Sequence, residues 1–172
     1  PYTPPERYRG RGKPYDGDVA YADELVGRFL DHLKAAGLYD RAVIALTSDH
    51  GEGLMDHGEE EHGIFLYREA LRVPLVVRLP GGKHAGERVR GTVGHVDLAA
   101  TLLDLASVPA SGLDGSSLRS ALAGGSVQGQ PVYSETLYPR YHFGWSDLYA
   151  ATDTRYRYIR APRHELFDLE RD

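Results

Sequence analysis

The chain has 172 residues, 41% of them apolar, with 20 basic against 25 acidic side chains and a formal charge of −5. That balance supplies enough apolar surface for a sizeable core and excludes a disordered chain. Without a basic stripe it speaks against nucleic-acid or anionic-membrane binding, and no apolar run of about 18 residues is present to form a transmembrane segment. The absence of cysteine excludes disulfides and thiolate chemistry within these residues.

Residues 1–14 are rich in Pro, Gly, Arg and Tyr and carry no periodicity, so they read as an irregular connection. The opening PYTPPERYRGRGKPYDG has neither an initiator Met nor a signal-peptide pattern, and the chain is expected to be the interior of a longer protein. From Asp16 onward Val19, Ala22, Val26, Phe29, Leu30, Leu33 and Ala36 recur at helical spacing. Charged residues take the other face, and Gly37 is placed to end this helix over 18–36. Asp16 and Asp18 suit its first turn, where carboxylates meet free backbone N–H groups.

A strand is expected over 41–47, and its continuous apolar run predicts burial on both faces. It ends abruptly at Ser48-Asp49-His50-Gly51-Glu52. In open α/β sheets ligands gather outside the carboxyl ends of strands, and a carboxylate beside an imidazole there can hold a divalent cation. The alternative for Ser48-Asp49 is a simple capping role. Next comes GLMDHGEEEHG, a loop in which Glu59, Glu60 and Glu61 read as a solvated face. Residues 64–71 read as a short helix and 73–79 as a second strand parallel to the first, with Pro74 at its start and Pro80-Gly81-Gly82 closing it.

Residues 92–95 are expected as a further strand leading into an apolar-faced helix over 97–105, with His95 structural. The stretch 107–129 is rich in Gly and Ser, with one short helix near 118–122 and a boundary near Gly125. Beyond it the pattern turns to β over 132–137, 148–152 and 156–160, the last two joined as a hairpin through Asp153-Thr154. Residues 138–145, dense in aromatic, Arg and His side chains, read as a loop that borders a substrate pocket or packs the β region against the rest.

Asp49-His50-Gly51-Glu52, then Asp56-His57-Gly58, His62-Gly63, Tyr67 and Val73-Pro74-Leu75 together resemble the sulfatase family of the alkaline-phosphatase superfamily. The resemblance continues through HVDLAATLLDLASV and the terminal ELFDLERD. It implies an α/β fold with an alkaline-phosphatase-like mixed sheet flanked by helices, divided into a core part over 1–125 and a small antiparallel β subdomain over 126–172.

The implied activity is sulfuric ester hydrolysis, of which this chain supplies the carboxyl-terminal part and half of a metal site. The implied metal ligands are Asp49 and His50 around one divalent ion, Ca²⁺ first and Mn²⁺ or Zn²⁺ as alternatives. His57 is implied as a substrate contact or a supporting residue. His62 stands where many sulfatases have a Lys on the sulfate oxygens, which marks it as substrate ligand or catalytic acid. The family's formylglycine nucleophile derives from a Cys or Ser followed by x-Pro-x-Arg, and no such motif occurs here. An amino-terminal part of the same enzyme is therefore the expected partner, with a small-molecule or glycan sulfate ester as substrate, in the periplasm or outside the cell. Phosphodiesterases, phosphonate hydrolases and phosphoglycerol transferases of the same superfamily share the Asp-His-Gly turn and form the second reading. A non-catalytic scaffold is the third.

Overall fold

The computed structural model describes residues 2–10, 12–127 and 129–171, so Asp172, the last residue of the ELFDLERD stretch, lies outside them. The chain divides into two compact units, one of residues 1–42 and 78–83 and the other of 43–77 and 84–172.

The first unit is built on one long helix, α1 (Pro14–Ala35). Its start reflects local chemistry: Pro14 needs no N–H partner in the first turn, and the Asp16 carboxylate accepts the Lys13 N–H at 2.8 Å. The helix begins four residues before the expected position because these two signals precede the apolar period. At the other end the Leu38 N–H reaches back to the Leu33 carbonyl at 2.9 Å, and Gly37 adopts the left-handed conformation that stops the helix. Gly17 lets the leading segment lie close, since a β-carbon there would stand 2.8 Å from Pro4 and 2.9 Å from the Tyr8 carbonyl. Val19 and Phe29, read as the apolar face, are half exposed.

The second unit carries two sheets. β1 (Ile44–Thr47) and β2 (Leu75–Arg78) are neighbours in a two-stranded sheet. The expectation that β1 is buried on both faces is corrected: Leu46 is 44% exposed, as is 57% of Val76 on its neighbour. Burial on both faces needs a layer over each face of a sheet, and these two side chains are left about half open. Between the strands lies α2 (Arg68–Leu71), shorter than the helix expected over 64–71, and after them α3 (Val96–Leu105) and α4 (Arg119–Leu122). Residues 92–95 are not a strand; the Gly94 N–H is taken at 2.9 Å by the Asp97 carboxylate at the start of α3 and is not free for a ladder. Thr101, almost wholly buried, ties α3 to the stretch before α4 by accepting the Leu118 N–H at 2.9 Å.

The second sheet is antiparallel in the order β3 (Val132–Thr136), β4 (Leu148–Thr152), β5 (Tyr156–Arg160), β6 (Glu165–Asp168). Ala150 pairs with Ile159, and both face the cluster formed with Leu66. The β4–β5 turn is held by Asp153, whose carboxylate accepts the N–H groups of Arg155 at 2.7 Å and Tyr156 at 2.6 Å. Residues 138–145, expected as a loop, contain a helix, α5 (Tyr138–Phe143), with Pro139 in its first turn and Gly144 in the left-handed conformation after its end. These elements are those of an α/β protein with mixed helices and sheets.

Candidate functional site

The loop after β1 is stitched by backbone bonds to two later stretches. Gly51 N–H donates to the Ala70 carbonyl at 2.8 Å, Glu52 N–H to the Glu69 carbonyl at 3.0 Å, and Gly53 N–H to the Glu61 carbonyl at 2.7 Å. The approach to α2 requires glycine: a β-carbon on Gly51 would stand 1.9 Å from the Glu69 carbonyl oxygen. Asp49 and His50 sit on the rim just before this stitched region, with the His95 imidazole 2.8 Å from the Ser48 carbonyl oxygen.

The Asp49 side chain is 86% exposed and lies 3.7 Å from the His50 ring, from Oδ2 to Nε2. Hydrogen bonding to its own backbone amide, followed by the nearby His50, holds its carboxyl below the usual aspartate value. His50 Nδ1 lies 2.8 Å from the Gly51 carbonyl oxygen. A carbonyl only accepts, so Nδ1 donates a hydrogen to it; in the neutral ring the lone pair then lies on Nε2, the atom nearest Asp49. One carboxylate oxygen and one imidazole nitrogen are thereby left open side by side.

His62 joins them. Its ring stacks on that of His50, with centroids 3.6 Å apart and planes at 26°. Its Nδ1 is 3.2 Å from Oε1 of Glu52, a side chain only 6% exposed, while the imidazole itself is 40% exposed. His57 makes its contacts elsewhere: it pairs with Glu69 at 2.7 Å and stacks on Tyr67 at 4.1 Å between centroids. Glu59 corrects the picture of a solvated acidic run. It is buried, and its carboxylate accepts the Ile64 N–H at 2.7 Å and the Phe65 N–H at 3.3 Å. Glu60 and Glu61 are exposed.

Beside residues 64–67 lies a cavity of about 240 Å³ lined by Phe65, Tyr67, Trp145, Leu148, Ile159 and Glu165, among others. The Tyr67 hydroxyl donates to Glu165 at 3.3 Å, and burial, then Glu165, push that phenol above its usual pKa. The residues sequence reasoning missed are Glu52 and Glu69 as imidazole partners. Glu52, set between two glycines directly after the Asp-His pair, could have been singled out; Glu69 had no local signal.

A sulfatase family model matches residues 5–108, and a model of the carboxyl-terminal region of N-sulphoglucosamine sulphohydrolase matches residues 60–172. The chain belongs to the sulfatase family. It is 36% identical over 117 residues to the N-acetylglucosamine-6-O-sulfatase of Bacteroides thetaiotaomicron, covering 67% of this chain and 21% of that protein. It also superposes on the phosphonate monoester hydrolase of Agrobacterium radiobacter, with a TM-score of 0.77 and 31% identity over 92% of this chain and 35% of the other. A third relative, solved in complex with its substrate D-glucosamine-2-N,6-O-disulfate, gives a TM-score of 0.72 at 26% identity, covering 91% of this chain and 33% of its own. The sulfatase chain therefore spans about a fifth of the curated relative and about a third of the solved ones.

Among the described residues no group of three or more His, Cys, Asp or Glu side chains could hold a metal ion. Asp49 and His50 offer two donors, and no helix is long and apolar enough to cross a membrane.

Proposed function

We propose that the chain is the carboxyl-terminal part of a sulfuric ester hydrolase, with residues 1–125 completing an α/β core and 126–172 forming a small β subdomain. The observation that carries this reading is the grouping of Asp49, His50 and His62, with Nε2 of His50 beside a carboxylate oxygen and a second imidazole stacked on the ring.

Sulfatases work with a divalent metal ion. Asp49 and His50 fit that role in part: Oδ2 and Nε2, 3.7 Å apart, lie within the span that two ligands at about 2.0–2.5 Å from one ion can have. When bound, such an ion withdraws charge from ester oxygens and lowers the barrier to attack at sulfur. Ca²⁺ is the preferred ion, with Mn²⁺ or Zn²⁺ as alternatives. The remaining ligands and a formylglycine nucleophile come from the amino-terminal part of the same enzyme.

His62 meets the ester. In its protonated form it hydrogen-bonds a sulfate oxygen or hands its Nε2 proton to the departing alcohol oxygen as the sulfur–oxygen bond breaks, which leaves a neutral ring. His57 supports residues 67–69 through Glu69 and Tyr67 or contacts the substrate. A sulfated glucosamine is the preferred substrate class, supported by the relatives that act on N-acetylglucosamine 6-sulfate esters or bind a disulfated glucosamine. A phosphonate monoester is the second reading, supported by the likeness to phosphonate monoester hydrolases.

Steady-state kinetics on sulfate and phosphate esters test both. In the intact enzyme His62→Ala lowers kcat by about 10²–10⁴-fold if the ring transfers a proton. Asp49→Ala removes the bound divalent ion, as read by elemental analysis. Unchanged kcat and KM on every ester for His62→Ala would eliminate the role of that residue, and an unaltered metal content for Asp49→Ala would eliminate the metal ligand.

A further inference from the structure

Glu52 is held in place by more than its own side chain. Its N–H, and those of the glycines on either side, are each bonded to a backbone carbonyl of another stretch, so the loop that carries it has a fixed path. Its carboxylate, 6% exposed, must find donors or carry the full penalty of desolvation. Oε1 accepts the Gly53 N–H at 3.3 Å and is also the atom 3.2 Å from His62 Nδ1. A carboxylate oxygen carries no hydrogen and can only accept, so against it His62 Nδ1 is the donor of the pair. The other face of the ring is set by the stack on His50.

From this geometry we infer that Glu52 is a positioning residue for His62: its buried carboxylate takes the Nδ1–H, holds the ring against His50, and makes Nε2 the nitrogen that exchanges protons with the ester. The inference rests on the reading that His62 meets the ester, and it adds the reason why one nitrogen and not the other does so. A free imidazole samples two N–H forms; here one form is selected, because only Nδ1–H pairs with the acceptor. Glutamine at the same place has both a carbonyl and an NH₂ group, and would pair with either form.

The test reads the His62 ring by long-range proton–nitrogen NMR at a pH where the ring is neutral, in the native chain and in Glu52→Gln. The native ring is expected as the Nδ1–H form alone, and the variant as a mixture of both forms. A native ring in the Nε2–H form overturns the inference without any variant, and a variant ring unchanged from the native one overturns it as well. In the intact enzyme Glu52→Gln is expected to lower kcat about 10–100-fold with KM held within about twofold, the scale typical of losing an orienting partner. A variant with native kcat overturns the inference. If His62→Ala retains full activity while the ring form follows Glu52, the hydrolase reading falls and the orienting contact stands. If His62→Ala abolishes turnover and the ring form ignores Glu52, the inference falls alone.

Discussion

Glu59 is the residue whose removal should weaken this fold from within a charged run. Its carboxylate is buried and faces two backbone donors, Ile64 at 2.7 Å and Phe65 at 3.3 Å. In Glu59→Ala those amides lose their acceptor, at about 1–3 kcal/mol for each donor that water cannot reach. Ile64 and Phe65 are only half-buried, which places each penalty at the lower end, so the sum is about 2–3 kcal/mol. For a chain of this size each kcal/mol moves the midpoint by about 2–4 °C, and the expected drop in Tm is about 4–12 °C. Glu59→Gln keeps one acceptor and loses only the charge assistance, about 1 kcal/mol. Thermal unfolding followed by circular dichroism measures both, and amide hydrogen exchange at Ile64 and Phe65 locates the effect. A Glu59→Ala midpoint within about 1 °C of the parent would mean that the side chain is solvated, and the argument fails.

Ile159, 2% exposed in the cluster with Leu66 and Ala150, should cost about 3–4 kcal/mol when cut to Ala, as read by urea unfolding. Gly51→Ala places a β-carbon 1.9 Å from the Glu69 carbonyl oxygen, so a loss of at least about 3 kcal/mol is expected; a native-like midpoint would show that α2 can retreat. The Tyr133 hydroxyl donates to Glu135 at 2.5 Å, which pushes the phenol up to about 12. The folded chain holds that proton more tightly than the unfolded one, so its contribution is complete below about pH 10 and disappears as the pH rises to about 12. A phenolate absorbance titration that finds Tyr133 ionising with the ordinary tyrosines would refute the contact.

The legibility of the fold followed the length of each pattern. α1 could be read because many turns repeat one apolar face, and its true start at Pro14 lay in cap chemistry outside that repeat. The β4–β5 hairpin could be read because Asp153 supplies its own turn bonds. β6 was missed because four residues, Glu165–Asp168, are too few to display an alternation. α5 carried legible marks at both ends, Pro139 and Gly144, yet its crowd of aromatic side chains reads as a loop when composition is weighed before caps. The burial of β1 failed for a different reason: an apolar run reports that a face can be covered, and Leu46 is left open because covering depends on what else stands nearby.

The candidate site divides the same way, by whether a contact is local. Asp49 and His50 stand together because they are adjacent and follow a strand, and the pairing of Nδ1 with the Gly51 carbonyl is again a neighbour's bond. His62 reaches His50 only through the path of the intervening loop, which depends on Gly53 meeting Glu61 and on Glu59 holding residues 64 and 65. Three consecutive glutamates look alike to any charge count. Only the folded loop separates the one that turns inward to bind backbone donors from the two that stay in water, because a carboxylate can be buried only where free N–H groups await it. Glu59 therefore acts on His62 without touching it: a change there should loosen the segment that brings the imidazole to its stacking partner, and the sequence distance between Glu59 and the Asp-His turn conceals that link.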